Sequence, residues 1–276
     1  MIVLLTAVIH AIYVNAQNHQ NGKDTQYKLI WSEEFNTSGT PDTTVWQYER
    51  GFVRQHELQW YTPENAYCKN GRLIIEARQV HRSNPNYQPE SNDWRKNRPF
   101  IEYTSASLNT RHSKSFLYGR IVMRARIDTA AGLWPAFWTL GIKGEWPSNG
   151  EIDIMEYYRG KLLANIAHGT SRRWTPRWYS KTTSISDLRQ SNWYKKFHIW
   201  RMDWDVKAIS LYIDDKLLNR VELKVLVNQD GSDINPYNQP HYLLVNLALG
   251  GDNGGDPSQT SFPRRYEIDY IRVYKK

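Results

Sequence analysis

The chain has 276 residues, a formal net charge of +8 and an aromatic content of 13%, which includes 12 Trp and 18 Tyr. This length is enough for one large domain with a full hydrophobic core or for two small ones. Cys68 is the only cysteine, which excludes an internal disulfide, so the stability of the fold must come from the size of its core.

The first sixteen residues are predicted to be an export signal. Residues 2–13 are mostly apolar, and residues 14–16 offer a cleavage position after Ala16. The apolar run is too short to cross a bilayer, so we expect no membrane span and a secreted, periplasmic or cell-surface protein. Residues 17–26 are polar, and we interpret them as a disordered linker that precedes one folded domain at residues 27–276.

The remainder of the chain has the pattern of an all-β protein. Segments rich in β-branched and aromatic residues alternate with turn residues, and amphipathic helical stretches are nearly absent. The last segment is expected to pair with the strand around residues 29–31, which would close a single domain. We therefore predict a β-jelly roll, a sandwich of two antiparallel sheets. The segments predicted as strands are 73–77, 119–127, 162–168, 197–204, 208–213, 242–249 and 266–274.

Two basic segments lie outside these strands. A polar insertion at residues 79–99 is the longest in the chain, and such a loop on a rigid β scaffold more often shapes a binding site than a core. Residues 172–178 combine three arginines with two tryptophans. We interpret both segments as parts of the rim of a cleft.

The segment Glu151-Ile-Asp-Ile-Met-Glu156 is the most informative part of the sequence. Side chains alternate between the two faces of a strand, so Glu151 and Asp153 share one face. Strict alternation would place Met155, and not Glu156, on that acidic face. A β-bulge with one extra residue would bring Glu156 to the same side. The segment therefore predicts a bulged strand with three carboxylates in a row.

Such a row favours acid–base chemistry over a simple solvated surface. Acidic residues on a strand usually face water, but large aromatics surround this segment and no Lys or Arg lies between Glu151 and Glu156. Adjacent like charges raise the pKa of at least one carboxyl group. Hydrolysis of a glycosidic bond needs one neutral acid beside one ionised carboxylate.

The sequence also resembles glycoside hydrolase family 16, and in particular its laminarinase- and lichenase-like retaining endo-β-glucanases. The acidic hexamer is similar to the family's signature Glu-x-Asp-x-x-Glu, and other segments resemble family motifs over about residues 27–276. These supporting segments are Trp31–Asn36, Glu57–Asn65, Gly132–Trp138, Val245–Gly251 and Ile268–Tyr274.

The resemblance implies a curved β-jelly roll with an open groove, and endo-acting hydrolysis that retains the anomeric configuration. Glu151 would be the nucleophile, and Glu156 would be the general acid and then the general base. Asp153, between them, would hold a proton or hydrogen bond that tunes the nucleophile. Residues 27–276 would be the catalytic domain, and no cofactor would be required.

Six further residues are predicted to bind the sugar chain. Trp134 and Trp138 are four residues apart and so share a strand face, although either could belong to the core, and Trp146 precedes the acidic strand. The resemblance implies that Asn65 and Asn246 bind sugar hydroxyls, but both could instead cap turns. His168 could contact the leaving-group side or be structural.

A structural calcium ion is implied by the resemblance near the first and last strands. Glu33 and Asp269 lie in those segments, where pairing with Arg or Lys is an equally good explanation. The sequence contains no His/Cys cluster for a metal.

The expected substrate is a β-1,3-glucan or a mixed β-1,3/1,4-glucan, and we expect a monomer that binds no nucleic acid. A red-algal galactan such as agar or porphyran is the alternative within the family, because the basic segments suit a sulfated chain. A non-catalytic, lectin-like sandwich is the alternative from another class. A structural surface protein is disfavoured because the sequence has no repeats.

Overall fold

A computed structural model of the protein describes residues 27–188 and 190–276. The predicted export signal and linker, residues 1–26, lie outside the described residues. Within the described part of the chain, no helix is long and apolar enough to cross a membrane.

The described residues form two packed sheets, as predicted for a β-jelly roll. The strands are β1 Lys28–Glu33, β2 Gln47–Tyr48, β3 Gln59–Tyr61, β4 Ala66–Cys68, β5 Leu73–Ser83, β6 Phe100–Ser105, β7 Ser107–Asn109, β8 Ser115–Phe116, β9 Gly119–Arg126, β10 Leu133–Gly141, β11 Glu151–Tyr158, β12 Lys161–Gly169, β13 Pro176–Ser184, β14 His198–Trp204, β15 Ala208–Ile213, β16 Lys216–Glu222, β17 His241–Leu249 and β18 Arg264–Lys275.

One sheet has ten strands in the order β16-β15-β14-β9-β18-β5-β6-β3, with β1 paired to β18 and β4 paired to β5. The other sheet has eight strands in the order β13-β12-β11-β10-β17-β7-β2, with β8 paired to β17.

Within residues 27–188 and 190–276, helical structure is limited to single turns. A one-turn α-helix spans Gly251–Gly254, directly after β17. The 3₁₀ turns are Pro63–Asn65, Ile185–Leu188, Trp193–Lys195, Leu223–Val225 and Pro236–Asn238.

The predicted pairing of the first and last strands is confirmed. β1 runs antiparallel to β18, with Lys28 opposite Lys275 and Glu33 opposite Ile271. β18 also pairs with β9 and β5 inside the ten-stranded sheet. The two ends of the described chain are therefore joined in one domain.

Alternating burial along the strands builds the core between the sheets. β14 alternates buried and half-buried residues over its whole length, as expected when one strand face packs and the other faces solvent. Side chains from both sheets, such as Met123 of β9 and Ile166 of β12, are fully buried in one hydrophobic cluster. Burying each side chain of this size contributes roughly 1.5–3 kcal/mol.

The basic segment at residues 172–178, expected to be a rim loop, is divided in the fold. Residues 172–175 lie outside the strands, whereas residues 176–178 begin β13, which pairs with all nine residues of β12. β13 lies at the edge of its sheet and is mostly exposed. Its sequence therefore lacks the apolar alternation by which the predicted strands were recognised.

The packing predicts a large effect of truncating Phe137, which is fully buried on β10 opposite Met155. Phe137→Ala should lower the free energy of unfolding by about 3–5 kcal/mol because it leaves a cavity in the core. Denaturant unfolding followed by fluorescence measures this loss in the free energy of unfolding. Ile30→Ala, at a site that is 45% exposed, is the control and should change stability by less than about 0.5 kcal/mol. Equal losses in the two variants would contradict this description of the core.

Candidate active site

The predicted bulge is present in β11. On one side, Trp138 of β10 pairs with Asp153 while its neighbour Phe137 pairs with Met155, so one residue of β11 is skipped. On the other side, Asp153 and Glu156 pair with residues of β12 that are only two apart. Ile154 is thus the extra residue, and the alternation of faces shifts by one position after it.

The bulge separates the acids from the apolar residues. Ile152, Ile154 and Met155 are fully buried in the core between the sheets. Glu151 and Glu156 are half-buried on the other face, with Asp153 between them and 2% exposed. The row of three carboxyl groups predicted from the sequence is therefore present on one face of the sheet.

Two indole groups and one amide fix the orientation of the glutamates. Trp146 Nε1 donates to Glu151 Oε2 at 2.5 Å, and Trp134 Nε1 donates to Glu156 Oε1 at 2.8 Å. Asn165 Nδ2, from β12, donates to Glu156 Oε2 at 2.9 Å and to Asp153 Oδ2 at 3.1 Å. All of these donors are uncharged, so they position the carboxyl groups without neutralising them.

The carboxyl group of Asp153 links the two glutamates. It forms side-chain hydrogen bonds with both Glu151 and Glu156, and these bonds lower the pKa of each glutamate. Two carboxyl groups can share a hydrogen bond only when one of them carries a proton. A protonated Asp153 that donates to its neighbours explains this arrangement.

Burial is the main reason that all three acids have raised pKa values. It raises the pKa of Glu151 to about 7, and the charge of Glu156 adds to this effect. Burial, followed by the charges of both glutamates, holds the pKa of Asp153 well above its usual range. Burial also raises the pKa of Glu156, against the hydrogen bonds from Trp134, Asp153 and Asn165. Repulsion, which the sequence suggested as the cause, is secondary to desolvation.

The three acids line two adjoining hollows, which together we call the groove. The larger hollow, of about 400 Å³, extends over β12 and β13 and is also lined by Trp146, Asn165 and Trp178. The smaller hollow, of about 30 Å³, extends over β10 and β17 and is also lined by Arg54, Glu57, Trp138 and Asn246. Trp134 and Gln55 line both.

Four of the six predicted sugar-binding residues lie in this groove. Trp134 and Trp138 share the groove face of β10, as their spacing predicted, and Trp146 contacts Glu151. Trp138 Nε1 donates to Asn246 Oδ1 at 2.8 Å, and Asn246 Nδ2 donates to the hydroxyl of Tyr61 at 3.0 Å. The structure therefore brings these four residues to the acids, and their contact with sugar stays a prediction.

Asn65 and His168 lie elsewhere. Asn65 is 1% exposed in a 3₁₀ turn, and its amide donates to the main-chain carbonyl of Glu76, so it holds a turn. His168 is three residues beyond Asn165 on a regularly paired strand and therefore faces the core, where it stacks on Tyr179. Neither residue is among those that line the two hollows described here.

Glu33 and Asp269, the residues expected near a calcium ion, both have partners within the protein. Glu33 accepts hydrogen bonds from the amide of Phe35 and from Trp46 Nε1. Asp269 forms an ion pair with Arg124 at 2.5 Å. The described residues contain no group of three or more His, Cys, Asp or Glu that could hold a metal, and calcium binding stays a prediction.

Sequence reasoning missed a buried charged group at the smaller hollow. Arg54 forms an ion pair with Glu49 and lies over the ring of Trp138, with its Cζ atom 5.1 Å from the ring centroid. Glu57 is 2% exposed and accepts a hydrogen bond from Gln59 at 2.7 Å. The only sequence signal was Glu57, the first residue of a segment that resembles a family motif, and no local pattern indicates that Glu57 or Arg54 meets the acids.

The β-jelly roll and the row of buried acids define a glycoside hydrolase. Comparison with known families agrees: residues 14–272 match the model of the glycosyl hydrolases family 16, and the chain belongs to this family. It is 35% identical over 272 residues to a beta-glucanase of Rhodothermus marinus, a match that covers 93% of this chain and 88% of that protein. It is 32% identical over 270 residues to glucan endo-1,3-beta-glucosidase A1 of Niallia circulans. That match covers 90% of this chain and 38% of the longer protein.

A solved structure from work on endo-acting O-glycanases of the human gut microbiota, which initiate mucin breakdown, is also similar. It superposes with a TM-score of 0.81 at 32% identity, over 91% of each chain.

The raised pKa of Glu151 predicts that this residue costs stability at neutral and alkaline pH. The pKa of Glu151 is about 7 in the folded chain, whereas its ordinary value is 4.5. The free energy of unfolding therefore falls as the pH rises from 4.5 to about 7. Glu151→Gln cannot titrate, so its Tm should exceed that of the wild type at pH 8 and differ little at pH 4.

Thermal melting of both proteins across this pH range tests the prediction. The control is Glu145→Gln, which removes an exposed carboxylate paired with Arg173 and should leave the pH dependence of Tm unchanged. A wild type that gains stability relative to Glu151→Gln between pH 4 and pH 8 would refute the direction of the shift.

Proposed function

We propose that the protein is an endo-acting, retaining β-glucanase that hydrolyses β-1,3-glucan or mixed β-1,3/1,4-glucan. The observation that carries this proposal is the presence of Glu151 and Glu156 on one face of β11, on either side of Asp153, with each glutamate bound by a tryptophan indole. The glucan preference is supported by the names of the relatives from Rhodothermus marinus and Niallia circulans.

In the first step, a carboxylate oxygen of Glu151 attacks the anomeric carbon of the sugar at the cleavage site. The bond between that carbon and the leaving oxygen breaks, and Glu156 gives its proton to the leaving oxygen. The product is a glycosyl ester of Glu151 and a free chain end. Trp146 Nε1, which donates to Glu151 Oε2, orients this carboxylate without blocking its second oxygen.

In the second step, Glu156, now ionised, removes a proton from water. The water oxygen attacks the anomeric carbon, the ester bond breaks and Glu151 is released as a carboxylate. Two inversions give net retention. The proton that Asp153 shares with the glutamates limits the build-up of negative charge in this buried row.

The proximity of the two glutamates supports retention. Retaining enzymes hold their carboxyl groups about 5–5.5 Å apart, whereas inverting enzymes need roughly 6.5–9.5 Å to admit a water between them. Hydrogen bonds from one side chain, Asp153, to both glutamates favour the shorter separation. Both steps use protein carboxyl groups alone, so we propose that no cofactor takes part.

We also propose that the protein is exported through residues 1–16 and acts outside the cytoplasm as a monomer. The apolar character of residues 2–13 supports export. Mass spectrometry of the secreted form and light scattering of the purified chain are the direct tests of these two points.

A galactose-containing glycan is the second candidate substrate. It is supported by the 27% identity to a keratan-sulfate endo-1,4-beta-galactosidase of Sphingobacterium multivorum. The similarity to the O-glycanase structure adds mucin O-glycans to the glycans to be tested. The acids and the two chemical steps would be the same, and only the walls of the groove would select a different sugar.

The assignment of Glu156 predicts a specific pattern of rescue. Glu156→Ala should slow polysaccharide hydrolysis roughly 10²–10⁴-fold because the leaving oxygen no longer receives a proton. An aryl glycoside with a good leaving group should lose far less in its first step, and azide should restore its turnover by forming a glycosyl azide. Glu151→Gln should lose activity on both substrates, and Glu145→Gln should keep it. Equal losses on the two substrates for Glu156→Ala would reject its role as the acid.

The substrate is tested with a panel of glycans. Laminarin, lichenan, agarose, porphyran and mucin-type O-glycans are incubated with the enzyme, and new reducing ends and product masses are recorded. We expect release of oligosaccharides from laminarin or lichenan, with the β-anomer as the first product by NMR. Activity confined to galactose-containing glycans would replace the glucan proposal by the second candidate.

A further inference from the structure

The polar insertion between β5 and β6 is an ordered loop. Asn84, which is 4% exposed, donates through Nδ2 to the carbonyls of Arg95 and Arg98, at 3.0 and 2.8 Å. The amide of Gln88 donates to the carbonyl of Lys96 at 2.8 Å. These bonds close the loop on itself and fix the main chain of the two arginines close to the start of β6.

The two arginines hold a neighbouring segment, residues 53–57, by its main chain. Arg98 donates to the carbonyls of His56 and Glu57 at 2.9 and 2.8 Å. Arg95 donates through Nε and Nη2 to the carbonyl of Val53, at 3.2 and 2.8 Å. Four guanidinium donors thus bind three carbonyls of a short segment, independently of its side chains.

A tryptophan completes this contact. The Cζ atoms of Arg95 and Arg98 both lie 4.8 Å from the centroid of the Trp94 ring. The same ring contacts His56, with centroids 5.1 Å apart, and Phe52, with centroids 6.0 Å apart. Such cation–π contacts are strongest where the guanidinium is partly shielded from water.

Residues 53–57, which the two arginines hold, have a strained backbone. Gln55 and His56 have φ angles of +50° and +52°, a region that side-chain-bearing residues rarely adopt without outside support. Further support comes from the amide of Asp252, which donates to the carbonyl of Gln55 at 2.9 Å. Strain of this kind persists only where surrounding contacts hold it.

This strained segment is the wall of the smaller hollow. Arg54, Gln55 and Glu57 line it beside the three acids. The Nη1 atom of Arg54 is buried and has no hydrogen-bond partner among the described residues. The space on this side is about 30 Å³, against about 400 Å³ on the side of β12 and β13. The wall therefore limits the room for sugar on one side of the acids.

We propose that Arg95 and Arg98 are positioning residues that hold residues 53–57 as a wall of the groove and thereby restrict how many sugar units bind on the β17 side. This inference rests on the proposed glycanase function. Its consequence is cleavage close to one end of an oligosaccharide, because only one side of the groove accepts a long chain.

The test compares the double variant Arg95→Ala/Arg98→Ala with Lys96→Ala. Lys96 lies between the two arginines, and its replacement removes a charge from the same loop while keeping the bonds to the wall. End-labelled oligosaccharides of the best glycan from the panel are digested, and the cut positions are read by mass spectrometry. Wild type and Lys96→Ala should cut near one end. The double variant should cut at positions further from that end, with KM raised about tenfold and kcat little changed, since uniform binding is lost.

Hydrogen exchange supplies a readout that does not depend on catalysis. The peptide covering residues 52–58 should exchange about tenfold faster in the double variant than in Lys96→Ala, because local opening becomes easier. If the wild type cleaves no glycan, the proposed function fails. Hydrogen exchange still tests whether Arg95 and Arg98 hold residues 53–57. Arg98→Lys keeps the charge but not the two-carbonyl fork, and it replaces the double variant if that protein does not fold. Unchanged exchange and unchanged cut positions in a folded variant would overturn the proposal.

Discussion

One extra residue in β11, Ile154, sets the face on which every later side chain of that strand lies. If the strand alternated regularly through Ile154, with no bulge, Met155 would face the groove and Glu156 would enter the core. Placing a carboxylate among Ile152, Phe137 and Ile166 would cost far more than the bulge itself, because a buried charge needs a partner. The core also fixes the bulge in place, since Ile154 and Met155 are both fully buried. A slip of the register would expose one of them and bury an acid.

The environment of the acids explains how three carboxyl groups coexist on one strand. The groups that bind them are indole and amide N–H groups, which orient carboxyl oxygens without adding positive charge. A lysine in their place would lower the pKa of its partner and would keep the proposed acid from holding a proton at neutral pH. Arg54 is the one Lys or Arg among the residues described as lining the groove, and it is already paired with Glu49. Burial therefore determines the pKa values more than any ion pair does.

The sequence was sufficient for the parts of this molecule that local patterns encode. The polarity of residues 151–156 conflicts with strict alternation, and that conflict predicted the bulge. The alternation of the last strand predicted its pairing with the first. Three features were beyond such reasoning because they depend on contacts between distant segments or on the sheet edge. Arg54 meets Glu151 only through folding, Asn65 is satisfied by the carbonyl of Glu76, and β13 has no buried face to give it an apolar period. For His168 the sequence left a sugar contact and a structural role open. Its position three residues from Asn165 on a regular strand places it on the opposite face, which agrees with the structural role.

The sheets and the loops have different roles in the groove: a sheet strand carries the acids, and a loop forms the wall. The acids lie on β11, which is paired on both sides, so their geometry depends on the register of β10 and β12. The wall at residues 53–57 lies on a loop and is held by arginines that bind its main-chain carbonyls. These main-chain contacts do not depend on the side chains of the wall. A residue such as Gln55 can therefore change without loss of the hydrogen bonds from Arg95 and Arg98. Substrate choice can therefore vary through the wall, while the chemistry stays fixed by a strand whose residues are constrained on both faces.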